Sequence, residues 1–193
     1  MDEHLTRRRL LELGLALPLV TAACSGDETE ALPPTPACAD GDEPTPEQTE
    51  GPFFTPDSPE RKSLLEPGVQ GTELVVAGTV LATDCTPISG ALLDFWHADA
   101  GGEYDNEGYR LRGHQFADAQ GGYRLETIEP GLYTGRTRHI HVKAQAPDGP
   151  ILTTQLYFPG EPGNASDGIF DPALVMGIPE AGAARFDFVL ESV

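Results

Sequence analysis

Arg138-His139-Ile140-His141-Val142-Lys143 is the stretch of this sequence whose residue types and spacing are suited to chemistry. Side chains alternate along an extended strand, so His139 and His141 share one face while Ile140 and Val142 share the other. The two histidine Cα atoms then lie about 6.6 Å apart, and two imidazoles can lean onto one metal ion. The competing reading is a partly exposed strand with two unrelated histidines. Which metal would bind depends on the remaining ligands. No Glu stands three or four residues after His141, and Asp148 sits in Pro147-Asp148-Gly149, where a carboxylate makes the turn itself. A ferrous site with two histidines and a carboxylate is therefore poorly served. Tyrosine is the better donor: Tyr104 follows Gly101-Gly102-Glu103, and Tyr133 follows Pro130-Gly131-Leu132. A phenol is normally protonated below about pH 10, so a strongly Lewis-acidic ion such as Fe(III) is needed to hold it as phenolate. Taken singly, each tyrosine reads equally as a strand-end aromatic packed on a sheet, and Tyr109 is a rival to Tyr104.

The elements that must position these residues read as short strands. Leu74 to Leu81, Ala91 to Trp96, Tyr123 to Ile128, His139 to Ala146, Ile151 to Phe158 and Arg185 to Leu190 are apolar or alternating runs. Turn residues such as Asp118 to Gly122 and Pro130-Gly131 separate them, and no segment keeps a helical period for three turns. The expectation is an all-β fold, a β-sandwich of short, mostly antiparallel strands with long loops. The stretch from Pro159 to Ala184 reads as a loop that covers one edge or the site. With 22 Gly and 18 Pro in 193 residues, the composition also favours a turn-rich domain over a helical bundle.

Charge narrows the partners. There are 31 Asp and Glu against 12 Lys and Arg, a formal net charge of -19. Nucleic acid and anionic lipid surfaces, which are bound through clustered cations, are thereby disfavoured. Residues 1-23 read as an export signal. Arg7-Arg8-Arg9 resembles a twin-arginine start, and the apolar stretch after it is too short to span a bilayer. Thr21-Ala22-Ala23-Cys24 resembles a lipoprotein cleavage site with lipid on Cys24, although Thr21 departs from the usual Leu; the alternative is a simple cleaved signal. Residues 24-48 are acidic and Pro-rich and read as a disordered tether. Residues 49-193 form the domain. Export permits disulfides, and if Cys24 carries lipid, Cys38 and Cys85 are left to pair; two free thiols are the alternative. The expected location is extracytoplasmic, at a bacterial surface or in a periplasm. Removing residues 1-23 leaves 9 basic residues. Six of them (Arg110, Arg112, Arg124, Arg136, Arg138 and Lys143) are expected to bracket the site, which suggests uncharged rather than carboxylated substrates.

Taken in order, several runs resemble the intradiol ring-cleavage dioxygenases: Thr49 to Phe54, Pro87 to Ala91, Trp96 to Tyr104, Thr127 to Tyr133, Arg136 to His141 and Thr154 to Phe158. The resemblance implies a non-heme Fe(III) with Tyr104, Tyr133, His139 and His141 as protein ligands and a solvent hydroxide as the fifth. It implies that Tyr133 leaves when a catechol chelates the iron, that Arg136 stabilises charge on the substrate ring, and that Gln155 lies beside the substrate. The implied partners are a small catechol and O2, the implied product is a cis,cis-muconate-type diacid, and no organic cofactor is required. His97 and His114 read as structural. The helical dimerisation segment of catechol 1,2-dioxygenases is lacking, so oligomeric state is not carried over; the chain looks more like exported single-domain members. Two other readings stand beside this one: a non-catalytic surface module that binds a small aromatic or carbohydrate, and a zinc hydrolase built on the histidine pair.

Overall fold

The computed structural model describes residues 43–191. The export signal, Cys24, Cys38 and most of the tether lie outside the described residues.

Among the described residues nine strands build two packed sheets. β1 (Glu73–Ala82) is the spine of the first; it pairs antiparallel with β4 (Gly122–Ile128) and parallel with β8 (Ala183–Arg185) and β9 (Phe188–Leu190), while β7 (Gly177–Glu180) pairs with β8. The second sheet runs β3 (Arg112–Phe116), β2 (Leu92–Trp96), β5 (His139–Gln145), β6 (Ile151–Tyr157), every pair antiparallel. This is the all-β sandwich expected from the apolar runs.

Two differences have local causes. The run Arg185 to Leu190 splits, because the Asp187 carboxylate takes the Thr79 N–H at 2.7 Å where a ladder carbonyl would otherwise sit. Phe186, Phe188 and Leu190 still enter the core, as their alternation requires. β3 escapes a pattern search because Gly113 supplies no side chain to mark its core face. Ordered packing also begins upstream of residue 49. Thr45 donates its N–H to Val189 O, Gln48 donates to Thr153 O, and Thr154 donates its hydroxyl to Pro46 O.

The core lies between the sheets, where Val76, Val80, Leu125 and Phe188 of the first meet Leu93, Phe95, Ile140, Val142 and Leu156 of the second. Register then dictates what the outer face of the second sheet carries. Arg112, Trp96, His141 and Gln155 align as one rung across β3, β2, β5 and β6. His139 opposes Tyr157 one step to one side, and His114, Asp94 and Lys143 align one step to the other. Alternation places all of these on the face turned away from Phe95 and Val142. That face is not left to solvent. The segment 47–58 and the loop 159–176 lie across it, so His139, His141 and Gln155 are as buried as the core.

His97, one residue past β2, ties the two sheets together. Its Nδ1–H donates to Ala98 O at 2.7 Å, and its Nε2 accepts the Thr127 hydroxyl of β4 at 2.6 Å. Burial pushes its pKa from 6.5 down to about 4; the Ala98 hydrogen bond opposes the shift, and the neighbouring His139 and Arg112 reinforce it. The folded protein thus holds this imidazole neutral, and the unfolded chain binds the proton that the fold excludes. Stability is lost as pH falls from 6.5 toward 4, by of order 3 kcal/mol from this group. In urea unfolding of the metal-free domain at pH 7 and pH 4.5, His97→Asn is expected to lose less stability than the parent between the two values. Equal losses would show that His97 does not carry this linkage.

Candidate metal centre

Three heteroatoms converge from two elements, two on buried histidines and one on a half-buried tyrosine. His139 Nε2 and His141 Nε2, adjacent on one face of β5, lie 3.1 Å apart. The Tyr104 hydroxyl, brought in by the loop after β2, lies 3.2 Å from the first and 3.1 Å from the second. The protons do not suffice for three hydrogen bonds. His139 Nδ1 lies 2.6 Å from Thr137 O, a pure acceptor, so the ring proton is on Nδ1 and Nε2 presents a bare lone pair. His141 Nδ1 has no hydrogen-bond partner among the described residues. Whichever nitrogen of His141 carries its proton, at least one edge of the triangle has no proton to bond it. Such a cluster fits a cation. Adjacent ligands bonded at about 2.0–2.1 Å, the usual range for imidazole on a transition metal, take about this spacing.

The electrostatics point the same way. Burial depresses the His139 pKa to about 4 and pushes that of His141 well below its ordinary value, so both rings are neutral and available as ligands. Burial raises the Tyr104 phenol above its ordinary value, while Arg136 and Arg112 pull it down; the net direction is up. Left alone it stays a neutral phenol, and a strongly Lewis-acidic ion is what makes it an anionic donor. Among the described residues no third His, Cys, Asp or Glu joins the pair, so the His and carboxylate set of a zinc hydrolase is not assembled. Asp148 makes its turn, with Gly149 N–H donating to Ala146 O.

Tyr133 flanks the triangle. Its ring stands edge-on to Tyr104 at 5.7 Å and to Phe53 at 5.2 Å, and it is less buried than Tyr104's partners on β5. The two tyrosine loops are laid directly on one another. Asp99 O accepts the N–H groups of Gly102 and Gly131, and the Asp99 carboxylate accepts those of Gly101 and Glu103. A Cβ on Gly102 (φ +88°) would stand 2.3 Å from Leu132 O, and one on Gly131 would stand 2.5 Å from Ala100 O. Only glycine permits the contact. Tyr109 is elsewhere, with its hydroxyl donating to Pro56 O.

Arg136 and Gln155 meet beside the histidines. Arg136 Nη2 donates to Gln155 Oε1 at 2.7 Å and Nε donates to Asp167 Oδ2 at 2.8 Å. Gln155 Nε2 in turn donates to Thr49 O. Burial pushes the Asp167 carboxyl up, but the Thr137 and Ile169 N–H groups together with Arg136 outweigh it and hold the acid ionised. The loop containing Asp167 therefore covers the site rather than only an edge. Tyr157, beneath it, is linked to Gln48, Gln155 and Ile169.

The expected ring of six cations is narrower in the structure. Arg124 pairs with Glu126 on the other sheet, and Arg110 extends to Glu66. Of the rest, Arg136, Arg138 and Lys143 each reach a carboxylate, from Asp167, Glu161 and Glu50. Arg112 does not. Sequence reasoning missed Asp99 and Asp167 and named Arg112 only as one of six cations around the site; Asp99 and Asp167 act through backbone N–H groups, and no spacing rule marks that use. Gly131→Ala is expected to force the tyrosine loops apart, costing ~1–3 kcal/mol of stability and lowering iron binding. Gly168→Ala, which meets open space, should stay within about 0.5 kcal/mol. Urea unfolding and iron titration of both variants check this, and equal behaviour would refute the close-contact argument.

Comparison with known proteins identifies the family. The sequence profile of the dioxygenase family, Dioxygenase_C, matches residues 49–191. The chain is 35% identical over 133 residues to the protocatechuate 3,4-dioxygenase beta chain of Burkholderia cepacia, covering 60% of this chain and 54% of that one. It is 31% identical over 173 residues to a chlorocatechol 1,2-dioxygenase of a Pseudomonas species, covering 74% and 68%. The match thus spans only about half to two thirds of the length of these curated relatives. Among solved structures, the dioxygenase domain of a dioxygenase and carbohydrate-binding protein fusion from the cellulolytic bacterium Streptomyces sp. SirexAA-E superposes with a TM-score of 0.76 at 58% identity, covering 78% of this chain and all of that one. With a family profile matched across 49–191 and a fold shared with such a domain, the chain belongs to the dioxygenase family.

Proposed function

We propose that this protein is an intradiol ring-cleaving dioxygenase that holds Fe(III) through Tyr104, Tyr133, His139 and His141. It opens catechol-type rings between the two hydroxylated carbons with O2, giving cis,cis-muconate-type diacids. The observation that carries the reading is the close triangle of Tyr104 and the two buried histidines, with more lone pairs than protons. The names of relatives that act on catechol, chlorocatechol and hydroxyquinol support the substrate class.

Ferric iron would supply Lewis acidity that keeps the phenols ionised and activates a chelated catechol toward O2. The chain's own residues do the rest. Tyr133, half-buried like Tyr104 and standing beside the triangle, would be the holding residue that yields its place to substrate, and its phenol oxygen would take up a catechol proton. Arg136 cannot swing, because Asp167 and Gln155 hold two sides of its guanidinium. It is a fixed positive charge for the negative charge that develops on the ring. Phe53 stacks on Tyr104 at 4.4 Å, and the segment that carries it keeps bulk water from the histidines. A plain binding module has no use for a tyrosine and histidine cage beside an anchored arginine.

The export signal and lipid on Cys24 belong to the same proposal. They place the domain outside the cytoplasm, where lignin-derived and other environmental catechols are met. The neighbouring fold's origin, fused to a carbohydrate-binding protein in a cellulolytic bacterium, supports that setting. Cys85 is disulfide-bonded, with its partner outside the described residues, and Cys38 is the partner we assign.

The purified domain lacking its signal is expected to bind one iron, to show a visible tyrosinate-to-iron absorption, and to convert catechol to muconate under air. Tyr104→Phe and Tyr133→Phe should each weaken the colour and lower activity about 100-fold, whereas Tyr109→Phe should change neither. Arg136→Met should lower kcat by about 10²–10³ with the colour kept. Iron-loaded protein that is colourless and leaves catechol intact would overturn the assignment.

A further inference from the structure

Arg112 is 1% exposed, and among the described residues its guanidinium reaches no carboxylate. It reaches carbonyls instead. Nε and Nη2 donate to Asp105 O at 3.0 and 2.6 Å, and Nη1 donates to Phe53 O at 2.5 Å. Both acceptors adjoin Tyr104: Asp105 follows it in the chain, and the Phe53 ring stacks on its ring at 4.4 Å and 17°. The arginine's own backbone is fixed as well, since Arg61 donates to Arg112 O through Nε and Nη2 while pairing with Glu66.

Burying a guanidinium with no carboxylate in contact is unfavourable, because carbonyl dipoles and the more distant Asp105 and Asp94 carboxylates only partly replace its hydration. Three other cations around the site do have carboxylates. A clamp between two loops needs only neutral donors, so the charge calls for a separate reason. We infer that Arg112 is a positioning residue for Tyr104. Its planar fork ties the two segments that bound the tyrosine, fixing the depth of the phenol and keeping Phe53 over its ring. Its charge favours an anionic oxygen at that place. The inference rests on Tyr104 being a metal ligand. Neither the tyrosine and histidine set nor Arg136 and Gln155 includes this role.

Lysine separates the two contributions, since it keeps the charge but cannot bridge both carbonyls with a fixed fork. Arg112→Lys, Tyr104→Phe and the double variant are made in the full domain, with far-UV circular dichroism and urea midpoints recorded for each. Fe(III) affinity of the metal-free proteins is read by competition with a chelator, and the visible band of the loaded proteins is recorded. Arg112→Lys is expected to weaken iron binding about 10-fold and to shift the tyrosinate band. In the Tyr104→Phe background it should change affinity by less than about twofold, because the residue it acts through is gone. Equal loss in both backgrounds, or no loss and no band shift in either, overturns the inference while leaving the iron site standing. If Tyr104→Phe alone leaves affinity and colour unchanged, the metal reading itself fails, and this inference fails with it. Arg112→Met, lacking both fork and charge, should weaken iron binding further than Arg112→Lys when it folds; if it does not fold, the lysine cycle decides.

Discussion

Three lone-pair atoms held within 3.2 Å of one another, with too few protons to bond them, are the constraint around which this domain is arranged. In water each would be solvated separately. Here they are crowded together on the outer face of a sheet whose inner face is already committed to the core, with both imidazoles buried. β5 is consequently buried on both sides, with Ile140 and Val142 packed between the sheets and His139 and His141 packed beneath a covering segment. Buried imidazoles are stable only if their polar atoms are satisfied, and a tightly bound cation would satisfy all three atoms together.

Most of the remaining structure can be understood as what holds that cluster closed. The segment 47–58 crosses the face, bonded through Thr49 O to Gln155 and through Phe53 O to Arg112. From the opposite side, Asp167 reaches Arg136 and the Thr137 N–H, fixing the residue whose carbonyl sets the His139 tautomer. Asp99 lays the two tyrosine loops together. Cations near the centre are compensated one by one, so the excess of acid in the chain does not become a general field at the site. Arg112 is the exception, and its place beside Tyr104 gives the exception a use.

The parts of this arrangement legible in the sequence are those with a period or an ordered motif. Alternation alone placed His139 and His141 opposite Ile140 and Val142, and β-branched runs marked β1, β5 and β6. Tyr104 and Tyr133 became recognisable only as members of an ordered series of motifs, since a single tyrosine after glycine carries little information. What could not be read depends on contacts distant in sequence. The split between β8 and β9 follows from Asp187 reaching Thr79. The cover formed by loop 159–176 follows from Asp167 finding Arg136. The order at Thr45 to Gln48, inside an acidic Pro-rich stretch, follows from hydrogen bonds to β9 and β6. Composition describes the average solvation of such a stretch and says nothing about a sheet edge waiting for it.

The proposed reaction opens an aromatic ring between its hydroxylated carbons using both atoms of one O2. The most direct measurement is mass spectrometry of the product formed from catechol by the iron-loaded domain under 18O2. The account predicts a muconate-type diacid that has gained two labelled atoms, one in each new carboxyl group. A semialdehyde from cleavage outside the two hydroxyls, or a quinone without label, would contradict it.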